Sequence, residues 1–294
     1  TMPSVGPSKI SDKLDDEVIT MDPSQIVDLD RYPIDQPDGP ACQALITSCR
    51  HDIETQALCM LPDFLRPDAL EVLQGESQAL APKACRMDNL RTPYGWMCNA
   101  GFKPDHPRSQ LFRNRSGLVL GGEFPRDSAI KALYFWNPLT EFLRQVIGVN
   151  TLFNTACPHL SFNIGVEGEG DQFGWHFDTN DGCAVSLLVQ QADEGGHFEY
   201  TPFIRSDKDE NYTEISRVFA GESELVRQPA MAPGTFTLFR GHRSLHRVTP
   251  VGTTSRARLI VLFGYDQNPG MVYPESTVND FRNPSSDPYY GRPS

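Results

Sequence analysis

The chain has 294 residues, enough for one large core, and its 39% apolar and 22% charged residues describe a soluble globular protein rather than a disordered one. The net charge of −12 disfavours nucleic acid as a partner, because holding a phosphate backbone requires an excess of Lys and Arg. No apolar run approaches the roughly 18 residues of a membrane helix, and the seven cysteines contain no Cys-X-X-Cys pair, which leaves neither a disulfide framework nor a zinc site.

The opening Thr1-Met2-Pro3-Ser4 lacks the charged-then-apolar form of a signal peptide, so a cytoplasmic protein is expected. Residues 1–35, rich in Asp, Pro and Ser, read as an arm or tail with little regular structure. Residues 36–294 read as a single domain, with helical support over about 41–148 and a β-rich half over about 155–270.

In chain order, a short helix is expected over Ala41 to His51 and a strand over Thr55 to Leu61. Arg66 to Ala84 carries Pro67 at a first-turn position and Leu70, Leu73 and Leu80 on one face, the pattern of an amphipathic helix. From Arg86 to Arg126 the pattern breaks into Pro, Gly, Arg and aromatic residues, which reads as a long functional loop over a site mouth. Within it Tyr94 and Trp96 serve packing or substrate contact, with Trp96 the substrate candidate, and His106 is a loop histidine. Asp127 or Ser128 caps a helix with Ile130, Leu133 and Tyr134 periodic. Asn137-Pro138 opens another, which Gly148 stops.

The stretch His159 to Val166 alternates as a strand, placing His159 and Asn163 on one face, where His159 can meet substrate or stay a bonded interior group. Further strands are expected over Ala184 to Val189, His197 to Thr201, Thr235 to Arg240 and Arg258 to Tyr265, separated by the Gly195-Gly196 and Pro233-Gly234 turns. Asp207 to Glu224 reads as a loop and short helix with Tyr212, Ile215, Val218 and Phe219 inward. Arg205, just before it, can clamp a substrate carboxylate or form a surface ion pair. After Asp266 the Pro- and Asn-rich chain is expected to trail across the surface.

Chemistry concentrates in Trp175-His-Phe-Asp-Thr-Asn180. In an extended segment His176 and Asp178 point to one side and can share one small ion. A third ligand must come from elsewhere, and Gly241-His-Arg-Ser-Leu-His246 offers two histidines. Two imidazoles and one carboxylate with open positions opposite form the facial triad of non-haem Fe(II) oxygenases. His242 and His246 would share a face only in a helix, which Val248-Thr249-Pro250 argues against. A strand order that brings ligands from distant strands to one mouth suits a closed β-structure.

Five blocks in order then resemble a known family: Trp175-His-Phe-Asp178; Glu194-Gly-Gly-His-Phe-Glu-Tyr-Thr-Pro202 with Arg205; Pro233-Gly-Thr-Phe-Thr-Leu-Phe239; Ser244-Leu-His-Arg-Val-Thr-Pro-Val251; and Arg258-Leu-Ile-Val-Leu-Phe-Gly-Tyr-Asp266. Together, over roughly residues 58 to 275, they resemble the Fe(II)/2-oxoglutarate dioxygenases that halogenate or hydroxylate free amino acids such as lysine. The resemblance implies a mainly β fold with flanking helices around a double-stranded β-helix (jelly-roll, cupin-like) core. It implies Fe(II), 2-oxoglutarate and O₂ as cofactors, with ascorbate as an added stimulant. His246, which precedes Arg-Val-Thr-Pro, becomes the second imidazole ligand beside His176 and Asp178. A strand arginine then holds the far carboxylate of 2-oxoglutarate; Arg258 opens the apolar strand as the family arginine does, with Arg256 the alternative and Asn163 a further cofactor contact.

Substrate contacts are expected at His159, Arg205, Trp96 and Asn180, and the partner is a small molecule rather than nucleic acid or membrane, bound by a monomer or homodimer. In halogenating members the carboxylate position carries Gly, which leaves room for chloride. Asp178 fills it here, so hydroxylation is expected, with desaturation or cyclisation as alternative outcomes. A non-catalytic cupin-like binding protein is the rival class, and it has no need for a buried arginine near its metal.

Overall fold

The computed structural model describes residues 20–95 and 97–284. Helix α1 (Pro40–Gln56) begins on a proline already fixed for the first turn and ends where Ala57 turns left-handed; it buries Cys42, Ile46, Cys49 and Ile53 along one stripe. β1 (Leu58–Leu61) follows directly, then α2 (Pro67–Leu80), which buries Ala69, Leu73, Ser77 and Leu80.

The long loop expected over Arg86 to Arg126 is instead bounded by two paired strands. Its ends form β2 (Cys85–Arg91) and β3 (Phe112–Val119), paired antiparallel from Cys85↔Leu118 to Arg91↔Phe112. These strands hide their alternation in charged pairs: Arg113 donates to both carboxylate oxygens of Asp88 at 2.8 Å, and β2 alternates half-buried with exposed residues. Helix α3 (Ala129–Tyr134) is capped by Ser128, whose hydroxyl accepts from the Lys131 N–H. In α4 (Asn137–Ile147) the buried stripe is Leu139, Phe142, Leu143 and Val146, and Gly148 at φ 78° stops the helix.

The β-rich half contains β4 (Phe153–Asn154), β5 (Phe162–Glu167), β6 (Gln172–His176), β7 (Ala184–Gln190), β8 (Phe198–Tyr200), α5 (Tyr212–Ala220), β9 (Phe236–Phe239), β10 (His246–Val248), β11 (Arg258–Phe263), β12 (Tyr265–Asp266) and α6 (Glu275–Arg282). One curled antiparallel sheet runs β1-β9-β7-β11-β5-β3-β6-β10-β8 with β2 beside β3, while β12 and β4 pair separately. Strand alternation splits its two faces. Leu259 and Val261 of β11, with Ile164 and Val166 of β5, enter the main core with α1 to α4, whereas Arg258, Ile260 and Leu262 lie beside their strand partners Glu167, Gly165 and Asn163 on the face that lines the inner cavity. The expected mainly β architecture with flanking helices is the one observed.

Two expectations about the ends are corrected. Residues 20–35 are irregular but not peripheral: Ile26, Val27 and Ile34 are fully buried in the main core, and the chain is tied down by Asp28 N–H to Phe64 O and Arg66 N–H to Ile26 O, both 2.9 Å. Residues 1–19 lie outside the described ones. Beyond Asp266 the chain does not simply trail, because α6 docks Val278 beside Leu120, Cys157 and Leu160 and presents Thr277 and Phe281 to the inner cavity. No helix among the described residues is long and apolar enough to cross a membrane.

Candidate active site

Strand pairing builds the site. β6 ends at His176 and β10 begins at His246, and the antiparallel register sets these two residues directly opposite each other, with a shift before Val248. The His176 Nδ1–H donates to Gly174 O and the His246 Nδ1–H to Ser244 O, each at 2.9 Å. A carbonyl can only accept, so both imidazoles carry a proton on Nδ1 and turn their Nε2 atoms toward Asp178. Asp178 Oδ1 lies 4.0 Å from His176 Nε2 and 3.4 Å from His246 Nε2, and one ligand atom from each residue falls within 4.8 Å of the others. Burial first, then the facing His246, holds the His176 imidazole down to about 3, so it is neutral at physiological pH. Burial, the largest single influence, pushes the Asp178 carboxyl up, but His246, His176 and His242 together outweigh it and the net shift is downward, leaving a carboxylate.

His242 stands outside this triad. Its Nδ1–H donates to the Asp178 backbone carbonyl at 2.9 Å, while the Asp178 N–H donates to Gly241 O at 3.1 Å. Gly241 is the residue that sequence reading missed. A methyl group there would overlap the Asp178 carboxylate and approach His246 Cε1 to 3.0 Å, so the absence of a side chain makes the seat for the carboxylate. Its only sequence signal is its position at the head of the two-histidine block.

The triad opens into a cavity of about 490 Å³ whose wall is largely apolar. Phe173 packs on His176 with ring centroids 4.6 Å apart, and Phe239 on His246 at 4.8 Å. Among the described residues, Arg258 is the single Lys or Arg on this wall; it is 3% exposed and its Nη1 donates to Glu167 Oε2 at 2.9 Å. Burial raises the Glu167 carboxyl, an effect that Arg258 partly offsets. Asn163 also lines the cavity, and its Oδ1 is buried with no hydrogen-bond partner among the described residues.

Other candidates fall elsewhere. Arg256 precedes β11 rather than lying on it, and it forms an exposed ion pair with Asp193 at 3.2 Å, which removes it as an alternative to Arg258. His159 belongs to the turn before β5, so the alternation of that strand does not reach it. It faces Arg282 in a separate cleft with Lys83 and Glu123. Arg205 is buried rather than aimed into the cavity: Nη1 pairs with Glu210 at 3.1 Å and Nε donates to His242 O at 2.8 Å. Asn180 is exposed in the loop after Asp178 and does not line the cavity. Trp96 lies outside the described residues.

The donor set suits Fe(II): two imidazole nitrogens with fixed tautomers and one carboxylate, converging at the end of an apolar cavity. The profile of a family described as Halogenase D matches residues 124–279. No curated protein sequence matches the chain. Among solved structures, AviO1 from Streptomyces viridochromogenes Tue57 is similar at 14% identity, covering 76% of this chain and 95% of that one with a TM-score of 0.51. A prolyl hydroxylase from Trichoplax adhaerens, solved with a peptide of the hypoxia inducible factor oxygen degradation domain, is similar at 15% identity, with 77% and 90% coverage and a TM-score of 0.50. SnoK, a non-heme alpha ketoglutarate dependent carbocyclase from nogalamycin biosynthesis, matches at 11% identity, with 78% and 89% coverage and a TM-score of 0.51. At these identities the likeness speaks for the fold, a double-stranded β-helix with flanking helices.

Proposed function

The chain belongs to the Halogenase D family, within the Fe(II)/2-oxoglutarate oxygenase superfamily, and from that premise we propose that it hydroxylates an unactivated C–H bond of a small molecule, a free amino acid or close derivative. The observation that carries this reading is the convergence of His176, Asp178 and His246 on one point at the end of a cavity holding a buried arginine. His176, Asp178 and His246 would hold Fe(II), and Arg258 the far carboxylate of 2-oxoglutarate, with Asn163 on the same cavity wall. Bound there, the metal and the oxo acid supply, with O₂, an oxidant able to take hydrogen from an unactivated carbon.

The chain's own contribution is arrangement. The two Nδ1–H···O=C bonds keep both imidazoles aimed without further reorganisation, and Phe173 and Phe239 pack against them and exclude water from that side. Arg258 presents a planar fork of which Glu167 takes one arm, leaving donors for a ligand carboxylate. A cupin-like binding module would have no use for this cation.

Hydroxylation rather than chlorination rests on Asp178. Its carboxylate is seated against Gly241 and faces His246, so the place that Gly leaves open in halogenating relatives is filled by an anion that repels a second one. The test is incubation of the protein with Fe(II), 2-oxoglutarate and a panel of amino acids and their derivatives in high chloride, with product masses and succinate measured. A substrate gaining one oxygen with matching succinate is expected. A chlorinated product from the unaltered protein would contradict the reading.

A further inference from the structure

Arg205 and His242 form a buried brace behind the metal-ligand loop that no step of the proposed chemistry uses. The Arg205 side chain is 6% exposed. Its Nη1 lies 3.1 Å from Glu210 Oε2, its Nε and Nη2 both donate to the His242 carbonyl, and its own backbone N–H donates to Arg243 O at 3.4 Å. The guanidinium carbon also sits 4.2 Å from the ring centroid of Phe177, the residue between His176 and Asp178. Phe177 is itself held by its N–H to Pro93 O at 3.0 Å. The brace therefore grips both chain segments that carry ligands, one through Phe177 and the other through residues 242 and 243.

The last link crosses between them. His242 Nδ1 donates to the Asp178 carbonyl at 2.9 Å, and the Asp178 N–H donates back to Gly241 O at 3.1 Å, which fixes the peptide units on both sides of the Asp178 side chain. A carboxylate two bonds from a pinned backbone has little freedom left, and Gly241 shapes the seat it must occupy. We propose that Arg205 and His242 are positioning residues that pre-set Asp178 for the metal, acting through the Asp178 backbone and not as ligands or substrate contacts. This rests on the reading of His176, Asp178 and His246 as metal ligands.

The chemistry of the brace states which replacements should preserve it. Asn at 242 can place an amide N–H where the imidazole Nδ1–H stands, whereas Leu fills similar space and offers no donor. Lys at 205 keeps the charge facing Glu210 but lacks the fork that reaches the carbonyl with two donors. Partners behind metal ligands typically change metal affinity by about 10- to 100-fold when removed.

The experiment is titration of the full-length protein with Co(II) alone, followed by visible d–d absorption, for the unaltered protein and for His242→Asn, His242→Leu, Arg205→Lys and Asp178→Ala, each checked for folding by circular dichroism. The expected order is wild type close to His242→Asn, with His242→Leu and Arg205→Lys weaker by about 10- to 100-fold and Asp178→Ala weaker still. A band of unchanged shape in the weakened variants would show the same ligands in looser hold. Binding in His242→Leu within twofold of wild type overturns the brace, as does His242→Asn being as weak as His242→Leu. Failure of the unaltered protein to bind Co(II), or unchanged binding in Asp178→Ala, instead overturns the metal-site reading on which the brace rests.

Discussion

At the scale of single residues, Gly241 and Arg258 make the clearest statements. Gly241→Ala puts a methyl group into the space of the Asp178 carboxylate, and because the clash is with a ligand rather than the main core, the expected result is a folded protein whose metal affinity falls on the order of 10- to 100-fold. Equal metal affinity in that variant, measured by titration, would show that the seat is not needed. Arg258→Ala leaves Glu167 buried without its ion-pair partner, which should lower stability by roughly 3–5 kcal/mol in chemical denaturation. The sign of its pH dependence follows from burial, which already raises the folded-state Glu167 carboxyl. A raised carboxyl binds its proton more tightly in the folded state, so folding loses stability as pH rises above the unfolded value of about 4.3. Without Arg258 the folded value moves further up, and the variant should be less destabilised at pH 5 than at pH 8; the opposite trend would contradict it. The convergence of His176, Asp178 and His246 was legible because spacing and block order are sequence properties, and the place of Arg258 at the head of β11 because it opens an apolar strand. Arg256 and His159 misled because strand periodicity was extended past ends that only hydrogen bonding sets: β11 starts at Arg258 and β5 at Phe162.

At the scale of elements, the readable ones buried a regular apolar stripe, and the missed ones did not. α4 shows Leu139, Phe142, Leu143 and Val146 at helical spacing between a proline and a stopping glycine, and nothing in its sequence competes with that pattern. β2 and β3 pair through Arg113 and Asp88 and carry Asn and Arg where a buried strand would carry valine, so their pairing is visible only once the sheet exists. α6 was missed for a related reason, since it buries one residue, Val278, and its other inward side chains face the cavity instead of the core. Val278→Asp places an unpaired carboxylate in that small cluster. The helix should undock and residues 271–282 should become protease-sensitive, while the melting temperature of the rest moves by only a few degrees. Unchanged proteolysis at that segment would mean that α6 is held by other contacts.

At the scale of the whole molecule, composition shows residues 20–35 as a polar, irregular stretch but not that its few apolar side chains are buried. Ile26, Val27 and Ile34 are fully buried, each worth roughly 1.5–3 kcal/mol, against a typical total of 5–15 kcal/mol for a folded protein. A chain beginning at residue 36 should therefore be unfolded or aggregated, as judged by circular dichroism and size-exclusion chromatography; a folded, monodisperse product would contradict that. The fold brings β6 and β10 side by side on the wall of one cavity, an arrangement that we propose holds Fe(II) and 2-oxoglutarate together. The most direct measurement is anaerobic titration of the protein with Fe(II) and then 2-oxoglutarate, followed by visible absorption. One Fe(II) per chain is expected, with a metal-to-ligand charge-transfer band that grows with 2-oxoglutarate, is lost with the metal in Asp178→Ala and is shifted to much higher 2-oxoglutarate concentration in Arg258→Ala. No band in the unaltered protein, or the same band in Asp178→Ala, would contradict that proposal.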